Sequence, residues 1–547
     1  MLPNATGRTR LLRLFAAVAL GVLWALAYPK WSMSGFAWLA PGGLLALGLT
    51  TRSKAAFGWS YLTAWIHAAT TLYWLLNMPF PPGAVAAWLS LTAYLAVFPA
   101  AWTWIMWKYA IRLSKAPLAK QSPYAISGIR QLSLLGGLRF ALGGAVLWGG
   151  LECVVSHFLT GFPWLLLGAT QLPWKPIAQG AAFGGIPFIS IFIAWISIAS
   201  VVGLSRVDWK RPQPWKWIPD LIIPVIAVLA MTYVGYLRIQ TIETSIPANK
   251  LKVAVIQPAF PQDLIWDDTE DQARFEELLR LSEAALQTDP DLLVWPEGAF
   301  PGSIESFAPV WDMLANHEVW LCFNGTDAEQ ETLNTEHPVF YNTAFLMDPT
   351  GKLQGTYHKR HLVIFGEYVP LADLFPFLKM LTPIQSLFTP GSSPQWFELK
   401  EPQTRLYPLI CFEDVMPYLA RASGEKPTDL LINLSNDGWF KDSAAQIQHG
   451  SLAAFRCIEN GLPMIRCGNN GLTCWIDPAG RLQGIESLRD TSEVYGRGFK
   501  TFQVPVGWTH SPTVYQRGGH TFEMGSITVS LLLVLYTFRK NSGENCR

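Results

Sequence analysis

Charged residues are scarce in this chain. Asp, Glu, Lys and Arg together make up 15% of its 547 residues, whereas hydrophobic residues make up 50%. Acidic residues are almost absent before about residue 240, and the later part has the composition of an ordinary globular domain. The formal net charge of +1 gives no electrostatic argument for nucleic-acid binding. The composition argues against an ordinary soluble enzyme, and we expect a membrane part followed by a globular part.

Cysteines are also few. The seven cysteines contain no CxxC pair and no metal-like spacing, which excludes a disulfide scaffold. Cys457 and Cys467 could pair if the globular part lies in an oxidising compartment. His358 and His361 flank Lys359 without a third ligand at a suitable spacing, so we predict neither a metal nor another cofactor. A GxSxG turn is absent as well, which argues against a serine hydrolase.

Long apolar runs, in contrast, are abundant. A membrane-spanning helix needs about 20 apolar residues, and eight segments are candidates: 11–28, 35–50, 55–78, 83–109, 140–159, 178–204, 221–236 and the shorter 524–538. They predict a polytopic α-helical membrane domain of about eight transmembrane helices, with seven in residues 1–240 and the last in residues 524–538. Residues 250–505 are expected to form a separate globular domain.

Basic residues mark alternate connections between these segments. Arg8 precedes the first segment, Arg52 follows the second, Arg112 follows the fourth and Arg206 follows the sixth. Because basic loops stay on the cytoplasmic side, both termini are predicted to be cytoplasmic and the globular domain to lie outside. The first segment also fits a cleaved signal peptide ending near residues 25–27, which leaves the globular domain on the same side.

Two ionisable residues lie inside the apolar segments, His67 in the third and Glu152 in the fifth. Ionisable groups at such depth are functional candidates. For His67 we prefer a polar contact between helices, whereas for Glu152 a contact of that kind and a functional role are equally open. The pairs Gly143-Gly144 and Gly149-Gly150 are interpreted as close-packing positions. They do not follow a strand, which argues against a nucleotide-binding loop.

Strand-like and helix-like segments alternate through the globular part. Buried strands are predicted at residues 252–257, 291–296, 319–323, 406–410, 429–433, 463–466 and 473–476, with a hairpin from 343 to 357. Helices are predicted from residue 268 to about 287 and from residue 443 to 460, the second closed by Gly461. This alternation predicts a two-layer α/β arrangement.

Three residues of complementary chemistry follow these elements. Glu297 and Cys411 each end a strand, and Lys359 follows the return of the hairpin. Cys411 is expected at the start of a helix whose dipole favours the thiolate, although a buried structural cysteine is the commoner interpretation of that segment alone. Acyl transfer requires a nucleophile, a base and a positive group for the oxyanion, and these three residues supply one of each. Singly, none of them is specific.

Together the motifs resemble a known superfamily. Val294-Trp-Pro-Glu297, Tyr357-His-Lys359 with Phe365-Gly-Glu-Tyr-Val-Pro370, and Leu409-Ile-Cys-Phe-Glu413 are similar to the three ordered motifs of the nitrilase superfamily. That resemblance implies an α-β-β-α sandwich with a Glu-Lys-Cys triad. Within that superfamily, the membrane half of the chain resembles the bacterial apolipoprotein N-acyltransferase family in particular. The segments with that resemblance are Trp148–Glu152, Gly161–Trp164, Trp266, Asn436–Phe440 and Gln448-His449.

The resemblance implies a role for each matching residue. Cys411 is the expected nucleophile, Glu297 the base that takes its proton, and Lys359 the group that stabilises the oxyanion. Glu367 and Glu413 are the supporting glutamates, which are expected to order Lys359 and the incoming amine. Residues expected to contact substrate are Trp266, Trp439 and Glu152. Phe412 departs from the family, which often has tyrosine after the cysteine; aromatic packing alone would make phenylalanine sufficient.

The implied reaction is a two-step acyl transfer in the bacterial inner membrane. Cys411 takes an acyl chain from a membrane phospholipid as a thioester, and the α-amine of a diacylglyceryl-cysteine lipoprotein then receives it. Both substrates are held in the bilayer, which is a further expected partner and explains the many apolar segments. Three alternatives stay open: a membrane-tethered amidase or nitrilase of small substrates, a non-catalytic membrane scaffold, and a transporter, although the last lacks paired discontinuous segments.

Overall fold

The computed structural model divides into two compact units. One consists of Met1–Tyr73, Trp88–Ile239 and Gly518–Arg547, and the other of Trp74–Ala87 and Gln240–Arg517. The residues that the structure describes are 7–114, 124–207, 217–245, 247, 249–265, 267–301, 308–333, 335, 338–370, 374–375, 388–484, 496–507 and 512–539.

The first unit is helical. The helices outside the sheet-containing region are α1 (Gly7–Leu26), α2 (Ala40–Leu49), α3 (Ser53–Thr71), α4 (Pro81–Leu113), α5 (Ile126–Arg130), α6 (Leu134–Val155), α7 (Lys175–Ala178), α8 (Ala181–Ser205), α9 (Ile218–Thr244) and, at the other end of the chain, α15 (Val514–Phe538). Among the described residues, six of these are long and apolar enough to cross a membrane: α1, α4, α6, α8, α9 and α15. The polytopic helical domain is therefore confirmed.

The other two predicted spans are less regular. Segment 35–50 forms a 3-10 turn, Ser34–Leu39, followed by the ten-residue helix α2. Pro41 lies in the first turn of α2, where its missing N–H costs no helical hydrogen bond. Segment 55–78 forms α3, which is 19 residues long and ends at Thr71. Side-chain hydroxyls and His67 lower the apolar character of α3, so its composition is less decisive than that of the six longer spans.

Small residues let the membrane helices approach closely. A Cβ on Gly149 of α6 would lie 2.5 Å from Ile191 of α8, and one on Gly144 would lie 2.5 Å from Met106 of α4. The close-packing interpretation of these glycines is confirmed. The ring of His67 stacks on Trp24 with 3.9 Å between ring centroids, so its contact with α1 is an aromatic stack and not the polar contact that was predicted.

The second unit contains two six-stranded sheets. Its strands are β1 (Asn249–Gln257), β2 (Leu292–Val294), β3 (Trp320–Ala328), β4 (Phe340–Met347), β5 (Leu353–His358), β6 (Phe397–Leu399), β7 (Thr404–Ile410), β8 (Leu430–Ser435), β9 (Met464–Gly468), β10 (Cys474–Ile476), β11 (Leu482–Gln483) and β12 (Gly498–Val506). Its helices are α10 (Gln262–Ile265), α11 (Asp271–Leu286), α12 (Ala308–His317), α13 (Pro417–Arg421) and α14 (Ala445–Asn460).

The sheets pack face to face between helices. Their strand orders are β12-β1-β2-β3-β4-β5 and β11-β10-β9-β8-β7-β6, and each has three parallel strands at its centre. One apolar core joins residues of both sheets, such as Val255 and Ile432. A second core lies between the first sheet and helices α11 and α12. The α-β-β-α sandwich is confirmed.

Most predicted elements of this unit are present with shifted ends. Helix α14 ends as expected at Gly461, whose φ of 68° is the left-handed conformation that closes a helix. Strand β12 ends one residue beyond the expected domain boundary at 505 and was not predicted as a strand, although it pairs along all nine residues of β1. Its alternating polar face and Pro505 gave a weak strand pattern.

Candidate active site

Cys411 lies where a buried strand turns sharply. Strand β7 ends at Ile410, and residues Cys411–Asp414 form a single 3-10 turn before α13 begins with Pro417. The φ of Cys411 is 51°, in the left-handed region that L residues rarely adopt. The predicted corner is therefore present, but the helix beside the cysteine is one short turn.

The predicted preference of Cys411 for the thiolate is wrong. Burial and the charge of Glu297 raise the pKa of the Cys411 thiol well above its usual range. Lys359 and a main-chain hydrogen bond from Asn436 act in the opposite direction but do not prevail. A one-turn helix has too small a dipole to offset burial. The thiol of Cys411 is therefore neutral at neutral pH, and a base would have to take its proton before it could act as a nucleophile.

Lys359 is placed by the hairpin β4–β5 and is 1% exposed. Its main-chain N–H donates to the carbonyl of Asn342 at 2.8 Å. The Nζ lies 2.8 Å from Glu367 Oε1 and 3.4 Å from Glu297 Oε1. Burial alone would lower the pKa of Lys359, but the two carboxylates outweigh it and raise that pKa above its usual range. Lys359 is therefore a fixed cation beside the thiol.

Asn342 joins the two carboxylates and was not predicted. Its Nδ2 donates to Glu367 Oε1 at 2.7 Å and to Glu297 Oε1 at 3.0 Å. Its own Oδ1 accepts a 2.6 Å hydrogen bond from Asn324 Nδ2. This row of hydrogen bonds orients the Glu297 carboxylate through two uncharged amides.

Glu413 is fully buried and holds the main chain on both sides of the site. Its Oε1 accepts hydrogen bonds from the main-chain N–H groups of Arg360 at 2.7 Å and His361 at 3.0 Å. Its Oε2 accepts from Ile410 N and from the hydroxyl of Tyr357, both at 2.8 Å. The side chain thus ties the end of β7 to the segment that follows Lys359, so it orders the lysine through the backbone.

Both halves of the chain match known protein families. Residues 252–492 match the carbon-nitrogen hydrolase family, and residues 20–199 match the apolipoprotein N-acyltransferase N-terminal domain. A protein named apolipoprotein N-acyltransferase from Geobacter metallireducens is 31% identical over 536 residues, covering 96% of this chain and 95% of its own. The chain belongs to the apolipoprotein N-acyltransferase family. It is therefore an acyltransferase, and a multi-pass membrane protein of bacterial type.

Other members of the apolipoprotein N-acyltransferase family agree. The protein of that name from Azotobacter vinelandii is 33% identical and covers 85% of both chains. That from Pseudomonas putida is 34% identical, covering 77% of this chain and 76% of its own.

A solved structure of a mutant amidase from Nesterenkonia sp. covers 48% of this chain and 93% of its own at 18% identity and a TM-score of 0.35. A carbon-nitrogen hydrolase from Helicobacter pylori covers 51% of this chain and 94% of its own at 15% identity and a TM-score of 0.36.

Three residues of this apolipoprotein N-acyltransferase family member were predicted to contact substrate: Trp439, Trp266 and Glu152. Trp439 is partly exposed in the 3-10 turn Gly438–Phe440, whereas Trp266 lies outside the described residues. Glu152 is buried in α6, where its Oε1 accepts hydrogen bonds from Trp148 Nε1 and Leu167 N, each at 2.8 Å. It also lines a cavity of the membrane unit together with His67.

Residues open to other interpretations have local partners. His358 lies 2.9 Å from Asp327, and His361 Nδ1 lies 3.0 Å from the Tyr418 hydroxyl. The ring of Phe412, at the family's tyrosine position, stacks on His361 with centroids 5.8 Å apart. In the part of the chain that the structure covers, Cys457 and Cys467 are both buried free thiols.

A buried cluster of four charged residues includes Asp414, the last residue of the Cys411 turn, and only its members Asp437 and His449 fell within segments that carried the family resemblance. The His449 ring is 2.7 Å from an oxygen of Asp414 and 2.7 Å from one of Asp437. Arg466 contacts the same two carboxylates. Burial and Arg466 lower the pKa of His449, but Asp414 and Asp437 prevail and raise it to about 9. His449 is therefore an imidazolium at neutral pH.

This cluster predicts a pH-dependent stability. The folded-state pKa of His449 is about 9 against an ordinary 6.5, so its contribution is fully present below pH 6.5 and is lost as pH rises through 9. The shift corresponds to about 3 kcal/mol. The thermal unfolding midpoint of the intact protein in detergent should fall over this range, and the fall should be smaller in His449→Gln. Parallel curves for the two proteins would contradict the assignment.

Proposed function

We propose that the protein transfers an acyl chain from a membrane phospholipid to the α-amine of a diacylglyceryl-cysteine lipoprotein, with Cys411 as the carrier. The observation that carries the proposal is the convergence of Glu297, Lys359 and Cys411. Lys359 contacts Glu297 directly, and both charges act on the thiol of Cys411. A neutral thiol, a carboxylate and a fixed ammonium are the groups that acyl transfer requires.

The first step forms a thioester and releases a lysophospholipid. Glu297 takes the proton of the Cys411 thiol while the sulfur attacks the ester carbonyl carbon of the phospholipid. The carbonyl oxygen becomes an oxyanion, which the Lys359 ammonium stabilises. The carbon–oxygen ester bond then breaks, and the leaving alkoxide of the lysophospholipid takes the proton from Glu297. The acyl chain is left on Cys411 as a thioester.

The second step moves the chain to an amine. The neutral α-amine of the lipoprotein attacks the thioester carbonyl, and Glu297 accepts a proton from the attacking nitrogen. Lys359 stabilises the oxyanion again, the carbon–sulfur bond breaks, and the Cys411 thiolate recovers a proton from Glu297. The product is an amide, which is more stable than the thioester, so the transfer proceeds forward. Water must be kept from the thioester for the same chemistry to yield amide and not free fatty acid.

The supporting residues have different tasks in this proposal. Glu367 and Asn342 fix the Lys359 ammonium and orient Glu297. Glu413 holds the chain that follows Lys359 against the turn of Cys411. We assign Trp439, Trp266 and Glu152 to substrate contact as residues for mutagenesis. The small-amide alternative and the scaffold alternative are not favoured, because family members match both the membrane part and the hydrolase-like part.

We also propose an orientation and domain boundaries. Residues 1–240 form the membrane domain, residues 250–505 the catalytic domain on the periplasmic side of the inner membrane, and residues 524–538 the last membrane helix before a cytoplasmic tail. Basic residues next to alternate segments, such as Arg8, Arg52 and Arg206, support cytoplasmic termini. A periplasmic catalytic domain meets lipoproteins after their export.

The donor is tested by incubating the detergent-purified protein with phosphatidylethanolamine that carries chains of known mass. Intact-mass analysis should show one acyl adduct, and peptide mapping should place it on Cys411 with release of one lysophospholipid per adduct. The adduct should disappear when a diacylglyceryl-cysteine peptide is added, and the peptide should gain the same mass. The matched control is a free fatty acid of equal length, which has no ester to cleave. An adduct that forms only from a soluble small amide would support the amidase alternative instead.

A further inference from the structure

Arg466 lies in strand β9 directly opposite Asn433 of β8 and is completely buried. A guanidinium in the middle of an apolar strand loses its hydration, and an apolar residue would fill the same position without that loss. The hydrogen-bond partners of Arg466 are therefore informative, because they connect it both to the turn that begins at Cys411 and to the loop at the end of β8.

One nitrogen of Arg466 serves the turn of Cys411. Its Nη1 donates to Asn433 Oδ1 at 3.1 Å and also contacts the carboxylate of Asp414, the last residue of that turn. Asn433 in turn donates from Nδ2 to the carbonyl oxygen of Cys411 at 3.0 Å. This nitrogen therefore restrains the turn at its first residue and at its last.

The other nitrogen serves the loop at the end of β8. Its Nη2 donates to Asp437 Oδ2 at 2.8 Å and to Ser435 Oγ at 3.4 Å. These two residues flank Asn436, whose main-chain N–H acts on the thiol of Cys411 and lowers its pKa. The second nitrogen therefore restrains the donor that faces the nucleophile.

We propose that Arg466 is a positioning residue whose two terminal nitrogens hold the Cys411 turn and the Asn436 loop in register, so that the sulfur faces the Asn436 N–H. This inference rests on the proposed role of Cys411 as nucleophile. His449 bridges the same two carboxylates, Asp414 and Asp437, from the opposite element and balances their charge. The thiol itself faces the charges of Glu297, Lys359 and Asp437.

The backbone of Cys411 gives the reason that such a restraint is needed. A φ of 51° is unfavourable for a residue with a side chain and persists only where the surroundings enforce it. Without the links from Arg466, the turn can relax toward ordinary φ values and carry the sulfur away from the Asn436 N–H. Lysine keeps the charge but has one nitrogen, so it cannot hold both sides.

The test compares Arg466→Lys with Arg456→Lys in the full-length protein in detergent. Arg456 is an equally buried arginine of the same unit, bonded to Val415 O at 2.9 Å and Glu459 at 2.8 Å. Single-turnover acylation by phosphatidylethanolamine is measured by intact mass and normalised to the folded fraction. Arg466→Lys should acylate about 100-fold more slowly, and the pH midpoint for alkylation of Cys411 by iodoacetamide should move upward. Arg456→Lys should keep the wild-type rate per folded molecule and the wild-type midpoint.

A second variant keeps the test decisive if Arg466→Lys folds poorly. Asn433→Ala leaves all four charges in place but removes the link from Arg466 to the Cys411 carbonyl, so it should lower the acylation rate and raise the alkylation midpoint in the same direction. Wild-type acylation rates per folded molecule in both variants would overturn the proposal, as would losses that only follow the folded fraction. Failure of the proposed function is distinguishable, because wild-type protein would then show no adduct at Cys411.

Discussion

Replacement of Cys411 by serine is expected to abolish the acyl-enzyme and to lower acyl transfer at least about 10⁴-fold. A serine hydroxyl is far less acidic than the thiol, so Glu297 removes its proton much less readily. Any oxygen ester that forms is also less reactive toward an amine than a thioester. The measurement is intact-mass analysis after incubation with phosphatidylethanolamine, followed by the transfer rate to a diacylglyceryl-cysteine peptide.

The matched control for this variant is Cys467→Ser. Cys467 is a buried thiol of β9, which is separated from β7 by β8, and it donates to Ile256 O at 3.3 Å, a bond that a serine hydroxyl can keep. The Cys467→Ser variant should form the acyl adduct at the wild-type rate. An adduct that maps to a residue other than position 411, in the wild type or in Cys411→Ser, would refute the assignment of the nucleophile.

Replacement of Glu297 by glutamine is expected to slow acylation of Cys411 about 1,000-fold at neutral pH. The reason is the raised pKa of the thiol, which leaves almost no thiolate unless a base removes the proton. Glutamine keeps an oxygen for the hydrogen bond from Asn342 Nδ2 but cannot accept the proton. Single-turnover acylation with phosphatidylethanolamine measures the effect.

The pH dependence distinguishes a lost base from a disturbed site. In Glu297→Gln the rate should rise about tenfold per pH unit above neutrality, because only spontaneous ionisation then supplies thiolate. Glu367→Gln is the control, since Glu367 also contacts Lys359 but is not assigned as the base. It should lose less activity and should not regain it at high pH. A pH-independent defect in Glu297→Gln would exclude its role as the base.

The sequence predicted the architecture and the triad for clear physical reasons. Glu297 and Cys411 each follow an apolar run that ends abruptly, and Lys359 follows the returning strand of a hairpin, so all three are expected beyond strand ends. The motifs around them were specific enough to indicate the superfamily. The protonation state of Cys411 was predicted wrongly, because burial depends on packing from distant parts of the chain, which local sequence does not contain.

The residues that the sequence did not single out are polar groups inside or next to strands. Asn342 precedes Thr343 in a strand, and its contacts with Glu297 and Glu367 arise only when three separate segments meet. Arg466 left a signal, because a charge between Ile465 and Cys467 interrupts an apolar run. A charged residue in a strand that is otherwise buried requires partners of opposite charge, so Arg466 could have been marked as part of a buried ionic group.

The two carboxylates beside Lys359 determine how the net charge of the site changes during the proposed reaction. At rest the three side chains carry two negative charges and one positive charge, with a neutral thiol beside them. In the proposed mechanism, one negative charge moves from Glu297 to the substrate when Glu297 takes the thiol proton and the oxyanion forms, so the total charge stays the same. Glu367 stays as the counter-ion of Lys359 throughout. The catalytic step is therefore a relocation of charge within a constant total, which spares the buried surroundings a large electrostatic reorganisation.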